Sequence, residues 1–319
     1  MLQFLVKRLI GLAFVILGIT LITFIIGHAT TGDPIRTMMG QNFDVQRWQL
    51  LRRAYGLDLP WYQQYYNFLV HFLQFDFGNS FHYQNRSVND ILADGLPTSI
   101  ELAFWGFIIT LFVGIPAGIL SAIKSKTWVD ITNMAVALTF YAVPVFATCV
   151  FAQVLIAWFN TLFGTQWPIS DWGTPWQYSW TDIEYKLAPI IVYSASGYAY
   201  FARLARTSML EILHQDYIRT AHAKGLRERA ILYRHALRNA IIPLVTYFGY
   251  VVGLFVQGAF FIEVIFNIHG IAQITVDASH ELDYPIIEAT VIVIAIATVI
   301  GNLIADILYT LFDPRIKLS

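Results

Sequence analysis

The side chains that could carry catalysis or metal binding are few and scattered along this chain. Eight histidines are present, but no two stand four residues apart, and the H-E-x-x-H, C-x-x-C and G-x-S-x-G patterns do not occur. The single cysteine, Cys149, lies in an apolar run, so it cannot form a disulfide within the chain and is expected to pack as a small residue. The sequence has no Gly-Lys pair and therefore no G-x-x-x-x-G-K-[ST] phosphate loop. We predict no catalytic, cofactor or metal site in this chain.

The chemistry that the sequence does supply is positive charge, concentrated between Arg203 and Arg238. This stretch holds eight of the 20 Lys+Arg residues. Glu211–Lys224 is predicted to be a short helix that ends at Gly225, because glycine commonly follows a helix end that carries a cation. A second helix is predicted after it, with an apolar and a basic side. The apolar side comprises Leu226, Ala230, Tyr233, Leu237 and Ile241, and the basic side comprises Arg227, Arg234 and Arg238.

The corner between these two helices is built from small residues, so that another surface can approach its backbone closely. We call the segment Tyr217–Arg229 the elbow and predict that it docks a partner protein on the charged side of a membrane. Charge alone would fit any basic cytoplasmic loop equally well. The candidate contact residues are Asp216, Tyr217, Arg219, Thr220, Ala221, Ala223, Lys224, Gly225, Leu226 and Arg229.

Composition requires a membrane around this loop. Hydrophobic residues make up 57% of the 319 positions and charged residues only 13%, about half the usual share in soluble domains. The apolar runs predict an all-α membrane protein with six transmembrane helices. Residues 1–30 would hold the first span, 31–97 an external insertion with amphipathic or interfacial helices, and 98–319 a five-helix core containing the cytoplasmic loop 209–240.

The external insertion is expected to contain two short helices. Asp44–Tyr55 has apolar residues on one face and is followed by Gly56 and Pro60. Trp61–Phe75 is rich in aromatic residues, which settle at the membrane–water boundary, so it is expected to lie on the membrane surface.

The second span, Leu102–Ile123, is expected to begin at a capping box formed by Thr98 and Glu101. Gly114 and Gly118 form a G-x-x-x-G pattern inside it, which permits close contact with another helix.

The remaining spans are predicted from uncharged runs. Ile131–Phe163 exceeds one crossing and would hold a span kinked near Pro144 plus a surface stretch. Leu187–Ala202 would be a short span whose flanking Lys186 and Arg203 extend outward to the interfaces. The fifth and sixth spans would be Ile241–Ile262, with Gly249 and Gly253, and Ala289–Phe312.

Three acidic residues lie near or inside the last two predicted spans. Glu263 and Glu288 stand at outer span ends and are expected to be solvated. Asp306 falls inside the sixth span, where an acid can mark a proton path. It is only six residues from Phe312, however, so a structural partner in the basic loop is the favoured interpretation.

Charge sets the orientation. The segments 1–8, 124–130, 203–240 and 313–319 together carry 14 Lys+Arg, whereas the opposite side carries 6. Because basic loops stay in the cytoplasm, both termini and the elbow are predicted to be cytoplasmic.

Several strings resemble the peptide-type ABC permeases of the OppB/DppB branch. The cytoplasmic loop carries the closest likeness, in Asp216–Leu226 and Arg234–Ala240, with Gly225 at the family's loop glycine. The outer loop departs at His269, where proline is usual, and at Ala272, where glycine is common. Other similar strings are Gly32-Asp33-Pro34, Asp76–Ser80, Leu96–Ala103, Asp283-Tyr284-Pro285, Asp306–Tyr309 and Asp313-Pro314-Arg315.

This resemblance implies the fold of a type I ABC importer permease in the bacterial inner membrane. It implies a homologous second permease subunit, two ABC ATPase subunits that bind ATP and Mg, an extracytoplasmic substrate-binding protein, lipid contact, and no nucleic acid. The elbow would couple to an ATPase, and the substrate would be a di- or oligopeptide. Nickel, glutathione or haem remain alternatives within the family, and an ATP-independent secondary carrier is the alternative from another class.

Overall fold

The computed structural model is predominantly helical. It describes residues 2–29, 33–39, 43–83, 85–244 and 260–312, and in the last helix it describes side chains as far as Leu303. The helices in these ranges are α1 (Leu2–Ala29), α2 (Pro34–Met39), α3 (Val45–Ala54), α4 (Trp61–Leu73), α5 (Val88–Ile123), α6 (Trp128–Ala142), α7 (Val145–Phe163), α8 (Trp180–Leu213), α9 (Asp216–Ala223), α10 (Glu228–Ala230, Ile231–Ala236 and Leu237–Ala240 in succession), α11 (Phe260–Ile265), α12 (Ile271–Glu281) and α13 (Tyr284–Phe312).

Long apolar helices confirm that the protein belongs in a membrane. Three helical stretches in the described ranges are long and apolar enough to cross a bilayer: Val88–Ile123, Val145–Phe163 and Tyr284–Leu303. The middle of α1, Ala13–Gly27, is a shorter apolar helix. The bilayer core needs about 20 apolar residues per helical crossing, which these stretches supply or approach.

The chain divides into two compact units. The first comprises 1–99 and 269–299, and the second comprises 100–268 and 300–319. The first unit has a core where the start of α5 packs with α12 and the start of α13, and the Ile271 amide donates a hydrogen bond to Ser99 Oγ at 2.8 Å.

The two short helices of the first unit form as expected. Asp44 caps α3, because its Oδ1 accepts a hydrogen bond from the Gln46 amide at 2.8 Å. Gly56 follows with a φ of +67°, in the left-handed region that favours glycine. α4 covers the predicted aromatic segment almost completely.

The second unit is organised around close packing of α5 against α8. A Cβ added to Gly118 would lie under 3.0 Å from the carbonyl oxygen of Ala202, so only glycine fits there. A Cβ added to Gly197 of α8 would likewise lie under 3.0 Å from the side chain of Thr110. The contact predicted from the G-x-x-x-G pattern is therefore confirmed at Gly118, and the two backbones approach without intervening side chains.

The predicted start of the second span is wrong. α5 begins at Val88, and Thr98 lies in its interior, 4% exposed. The helix starts earlier because Ser87 provides a cap, its Oγ accepting a hydrogen bond from the Asp90 amide at 3.1 Å. Glu101 consequently has no capping role.

The run from Ile131 to Phe163 forms two helices rather than one kinked span. α6 ends at Ala142 and α7 begins at Val145, with Val143 extended and Pro144 at the N-terminal boundary of α7. Proline cannot donate a backbone hydrogen bond and disfavours helix in the residue before it, so the chain breaks here.

Two expectations about charged residues are also wrong. Lys186 does not extend outward, because α8 begins at Trp180 and buries Lys186 within its first turns, 2% exposed. Glu263 and Glu288 are buried, with 0% and 8% exposed, rather than solvated. Most of the predicted fifth span, including Gly249 and Gly253, and the side chain of Asp306 lie outside the described residues.

Candidate functional site

The elbow begins with a break in the predicted helix. Glu211–Lys224 is not continuous, because α8 ends at Leu213 and Gln215 is extended before α9. The Gln215 carbonyl accepts the first hydrogen bond of α9, from the Ile218 amide at 3.0 Å. This break lets α9 change direction relative to the long helix α8.

Gly225 ends α9 as the sequence predicts. Its φ is +72°, its amide donates to the His222 carbonyl at 2.9 Å, and the Leu226 amide donates to the Ala221 carbonyl at 3.3 Å. This pair of bonds is a Schellman motif, which closes a helix through a left-handed residue. A Cβ at Gly225 would meet no atom within 4 Å, so glycine is needed here for backbone conformation and not for space.

The inner face of α9 is anchored in the chain's own core. Ile218 and Ala221 are 1% and 6% exposed and belong to a cluster with Met209 of α8, Ala122 of α5 and Ile231 of α10. Ala221, one of the candidate contact residues, thus lies on the internal face. The cluster attaches α9 to the ends of both long helices of the second unit.

The other nine candidate contact residues are exposed: Asp216, Tyr217, Arg219, Thr220, Ala223, Lys224, Gly225, Leu226 and Arg229. Tyr217 and Leu226 are large side chains that are 40% and 41% exposed, and Tyr217 Oη accepts a hydrogen bond from Asn239 Nδ2 at 2.9 Å. The outer face of the elbow therefore combines exposed apolar side chains with the cations Arg219, Lys224 and Arg229.

The predicted apolar side of the second helix is wrong. The buried residues of α10 are Ile231, Ala236 and Ala240, whereas Tyr233 is 69% exposed. The middle of α10, Ile231–Ala236, is a π-helical turn, which shifts every later residue around the helix relative to 3.6-residue spacing. Arg227, Arg234 and Arg238 are exposed, as expected for the basic side.

An ion pair joins α6 to α8 near the end of α8 that leads into the elbow. Arg206 Nε and Nη2 donate to the two carboxylate oxygens of Asp130 at 2.6 and 2.7 Å. Asp130 precedes the uncharged stretch that starts at Ile131, and its hydrogen bond with Arg206 lowers the pKa of the Asp130 carboxyl below the ordinary value. A bidentate pair of this kind fixes orientation as well as distance.

Sequence reasoning missed a buried pair at the other end of α8. Lys186 Nζ donates to Glu101 Oε1 at 2.7 Å, and the two side chains are 3% and 0% exposed. Lys186 also donates to the carbonyls of Thr174 and Gln177, both at 2.8 Å. The sequence holds one signal for this pair, since Glu101 and Lys186 each adjoin an apolar run. Because 85 positions separate the two residues, that signal could not show that they meet.

The Glu101 carboxylate also orders the loop that precedes α8. Its Oε2 accepts hydrogen bonds from Trp172 Nε1 at 2.9 Å and from the Trp176 amide at 2.8 Å. Trp172 is 1% exposed, whereas Trp176 is 45% exposed. The Glu101–Lys186 pair thus fixes a loop that presents aromatic side chains on its surface.

Comparison with known proteins gives consistent relatives. Residues 114–318 match a family described as "Binding-protein-dependent transport system inner membrane component", and residues 1–103 match its N-terminal component. The chain is 33% identical to the oligopeptide transport system permease protein AppB of Bacillus subtilis, covering 99% of this chain and 100% of AppB. It is 35% identical to the dipeptide transport system permease protein DppB of the same organism, over 100% and 99%. It is 32% identical to the glutathione transport system permease protein GsiC of Escherichia coli K12, over 99% of both.

Proposed function

Because this chain belongs to the binding-protein-dependent transport system inner membrane components, as an ABC permease of the OppB/DppB type, we propose that it carries peptides inward across the cytoplasmic membrane under the control of separate ATPase subunits. The family supports a non-enzymatic, multi-pass subunit of an importer. The peptide substrate, the subunit composition and the coupling residues belong to the proposal.

One observation carries the coupling role: the elbow is exposed outside and anchored inside. Ile218 packs in the cluster that includes Met209 of α8 and Ala122 of α5. Leu226 and Tyr217 remain available on the outer face. An ATPase that grips the outer face would therefore move α5 and α8 together.

The proposed cycle is alternating access. Two ATPase subunits bind ATP and Mg, close on each other, and displace the elbows of this chain and of a homologous second permease. Each displacement rotates the attached helices as rigid bodies, because close-packed interiors change between discrete arrangements rather than deforming continuously. An external binding protein supplies the substrate. With the six spans and cytoplasmic termini that the distribution of Lys and Arg predicts, the elbow would lie on the ATPase side.

The substrate within the family is the finer part of the proposal. Relatives named for oligopeptides and dipeptides support a peptide, and a relative named for glutathione, at 32% identity, supports a second candidate. Uptake of a labelled dipeptide, in competition with glutathione, nickel or haem, separates these candidates. An ATP-independent carrier would transport without any ATPase subunit.

The coupling test is Leu226→Asp, compared with Leu50→Asp as a matched control. Both leucines are exposed, at 41% and 66%, but Leu50 lies on α3 and not in the elbow. Burying a leucine at an interface is worth about 1.5–3 kcal/mol, so we expect ATPase binding to weaken roughly tenfold to a hundredfold in Leu226→Asp alone.

The readout is retention of the ATPase subunits on the tagged permease, with ATP-driven dipeptide uptake measured in parallel. Undiminished ATPase retention in Leu226→Asp would refute the docking role of the elbow. Equal loss in both variants would mean that the effect is not specific to it.

A further inference from the structure

The first unit contains a cavity that the coupling mechanism does not use. Its volume is about 350 Å³, within the size range of small-ligand sites. It lies among the end of α1, the α3–α4 connection, α4, the segment 77–81 and the start of α13. All of these segments belong to the first compact unit.

Among the described residues that line this cavity, one is acidic. Glu288 is only 8% exposed, and the structure gives its carboxylate no hydrogen-bond or ion-pair partner among the described residues. The backbone of α1 approaches it closely, because a Cβ added to Gly27 would lie in van der Waals contact with Glu288 Oε1, at 3.8 Å. Burying a carboxylate without a partner is costly, so Glu288 would take up a proton unless a cation compensates its charge, and a cationic ligand would stabilise the ionised form.

The wall beside Glu288 is aromatic. Tyr55 and Phe81 meet edge to face with ring centroids 4.8 Å apart, and Phe81 meets Tyr284 similarly at 6.5 Å. Phe24 and Phe68 line the cavity as well. The faces of such rings carry negative potential and attract organic cations.

Hydrogen bonds hold this wall in place without a ligand. Asp283, which is fully buried, accepts hydrogen bonds from Ser80 Oγ and from the His82 amide at 3.0 Å, on either side of Phe81. Ser80 Oγ in turn accepts from the Tyr83 amide at 2.7 Å. The cavity is therefore preformed, which reduces the cost of binding.

The charges around the cavity select the class of ligand. Among the described residues that line it, none is lysine or arginine. His71, also in the lining, lies 3.4 Å from the Asp76 carboxylate, which would offset its charge if the imidazole were protonated. From the buried carboxylate, the aromatic wall and the missing cation, we propose that this cavity binds a primary ammonium group. The group is either the free amino end of a transported substrate or the ethanolamine head of a lipid.

The first experiment uses ethanolamine as the probe, with 1,2-ethanediol as its uncharged counterpart. Binding to the purified transporter complex is followed by saturation-transfer NMR. We expect ethanolamine to bind in preference to the diol, and to bind about tenfold to a hundredfold more weakly in Glu288→Gln, because the oxygen that accepts from the ammonium group no longer carries a charge. Glu184→Gln, a half-buried acid on α8 outside the cavity, should leave binding unchanged.

A second variant guards against misfolding. Tyr55→Leu keeps an apolar side chain but removes an aromatic face, and we expect it to weaken ethanolamine binding by severalfold. Equal binding of ethanolamine and the diol to the unaltered complex would overturn the proposal without any variant. Unchanged ethanolamine binding in Glu288→Gln would overturn it too.

Two further arms identify the source of the ammonium group. If glycylglycine competes with ethanolamine and N-acetylglycylglycine does not, the site binds the amino end of the substrate. If phosphatidylethanolamine stays on the complex in native mass spectrometry and phosphatidylglycerol does not, the site binds the lipid head group. The proposal requires at least one of these results, and failure of both overturns it. The ATPase-retention assay is independent, so a failed coupling role would be recognised separately.

Discussion

Replacing Lys186 with methionine tests how the second unit is held together. The substitution keeps most of the apolar stem but removes the ammonium group, which donates to Glu101 and to the carbonyls of Thr174 and Gln177. The Glu101 carboxylate would remain buried with its hydrogen bonds from Trp172 and Trp176 but without the ammonium group. A buried charge without its counter-ion then destabilises the folded arrangement.

The size of the effect follows from this geometry. Breaking a fully buried pair by removing one partner costs about 3–5 kcal/mol. Each 1.4 kcal/mol is about tenfold in an equilibrium constant, so opening of the loop should become roughly a hundred to a few thousand times more frequent. The pair is 3% and 0% exposed, which places it in the buried class for which this range applies.

The assay is amide hydrogen exchange in the purified complex, read on peptides covering 171–179. The Trp176 amide reports directly, because it donates to Glu101. We expect faster exchange there in Lys186→Met and recovery of much of the protection when Glu101→Gln is added, since residues in contact are not additive. Unchanged exchange in the single variant, or simple addition of the two effects in the double variant, would refute this account.

Two glycines provide further predictions. Gly118→Leu should prevent α5 from packing on α8, because even a Cβ at this position would clash with the carbonyl of Ala202. We therefore expect little folded permease in the membrane fraction. Gly18→Leu is the control and should be recovered at normal yield, because a Cβ added to Gly18 would meet no atom within 4 Å. Gly225→Ala and Gly164→Ala impose the same backbone strain, at φ +72° and +64° and in open space, of about 1–2 kcal/mol each. Both should therefore lower the melting temperature alike, but only Gly225→Ala should reduce ATPase-dependent uptake; equal uptake in the two variants would contradict the elbow's role.

Several local signals in the sequence predicted local features correctly, although the capping box at Thr98 and the continuous helix Glu211–Lys224 were wrong. The amphipathic segment that starts at Asp44 predicted α3, and Gly225 after a basic helix end predicted the helix end that the Schellman motif forms. Gly118 indicated a close helix contact, although the partner surface around Ala202 could not be named. Each of these depends on residues within about one or two helical turns, which is the range over which composition and spacing determine conformation.

Two kinds of feature were beyond sequence reasoning. The Glu101–Lys186 pair and the burial of Glu288 depend on tertiary packing between distant segments, which single-residue polarity does not reveal. The side of α10 that faces inward was misassigned at Tyr233, because a π-helical turn breaks the 3.6-residue period on which the prediction rested.

The two ends of α8 give the proposed coupling a route from the elbow to the loop at Trp176. From Lys186 to Leu213 the helix rises about 40 Å at ~1.5 Å per residue, which exceeds the thickness of the hydrocarbon core. One end is joined to the elbow through Met209, and the other carries the Glu101–Lys186 pair and with it the loop at Trp176. Between them, α5 and α8 pack closely at Gly118, which meets the Ala202 carbonyl, and at Gly197, which meets the Thr110 side chain. We therefore expect displacement of the elbow to move the loop at Trp176 together with α8.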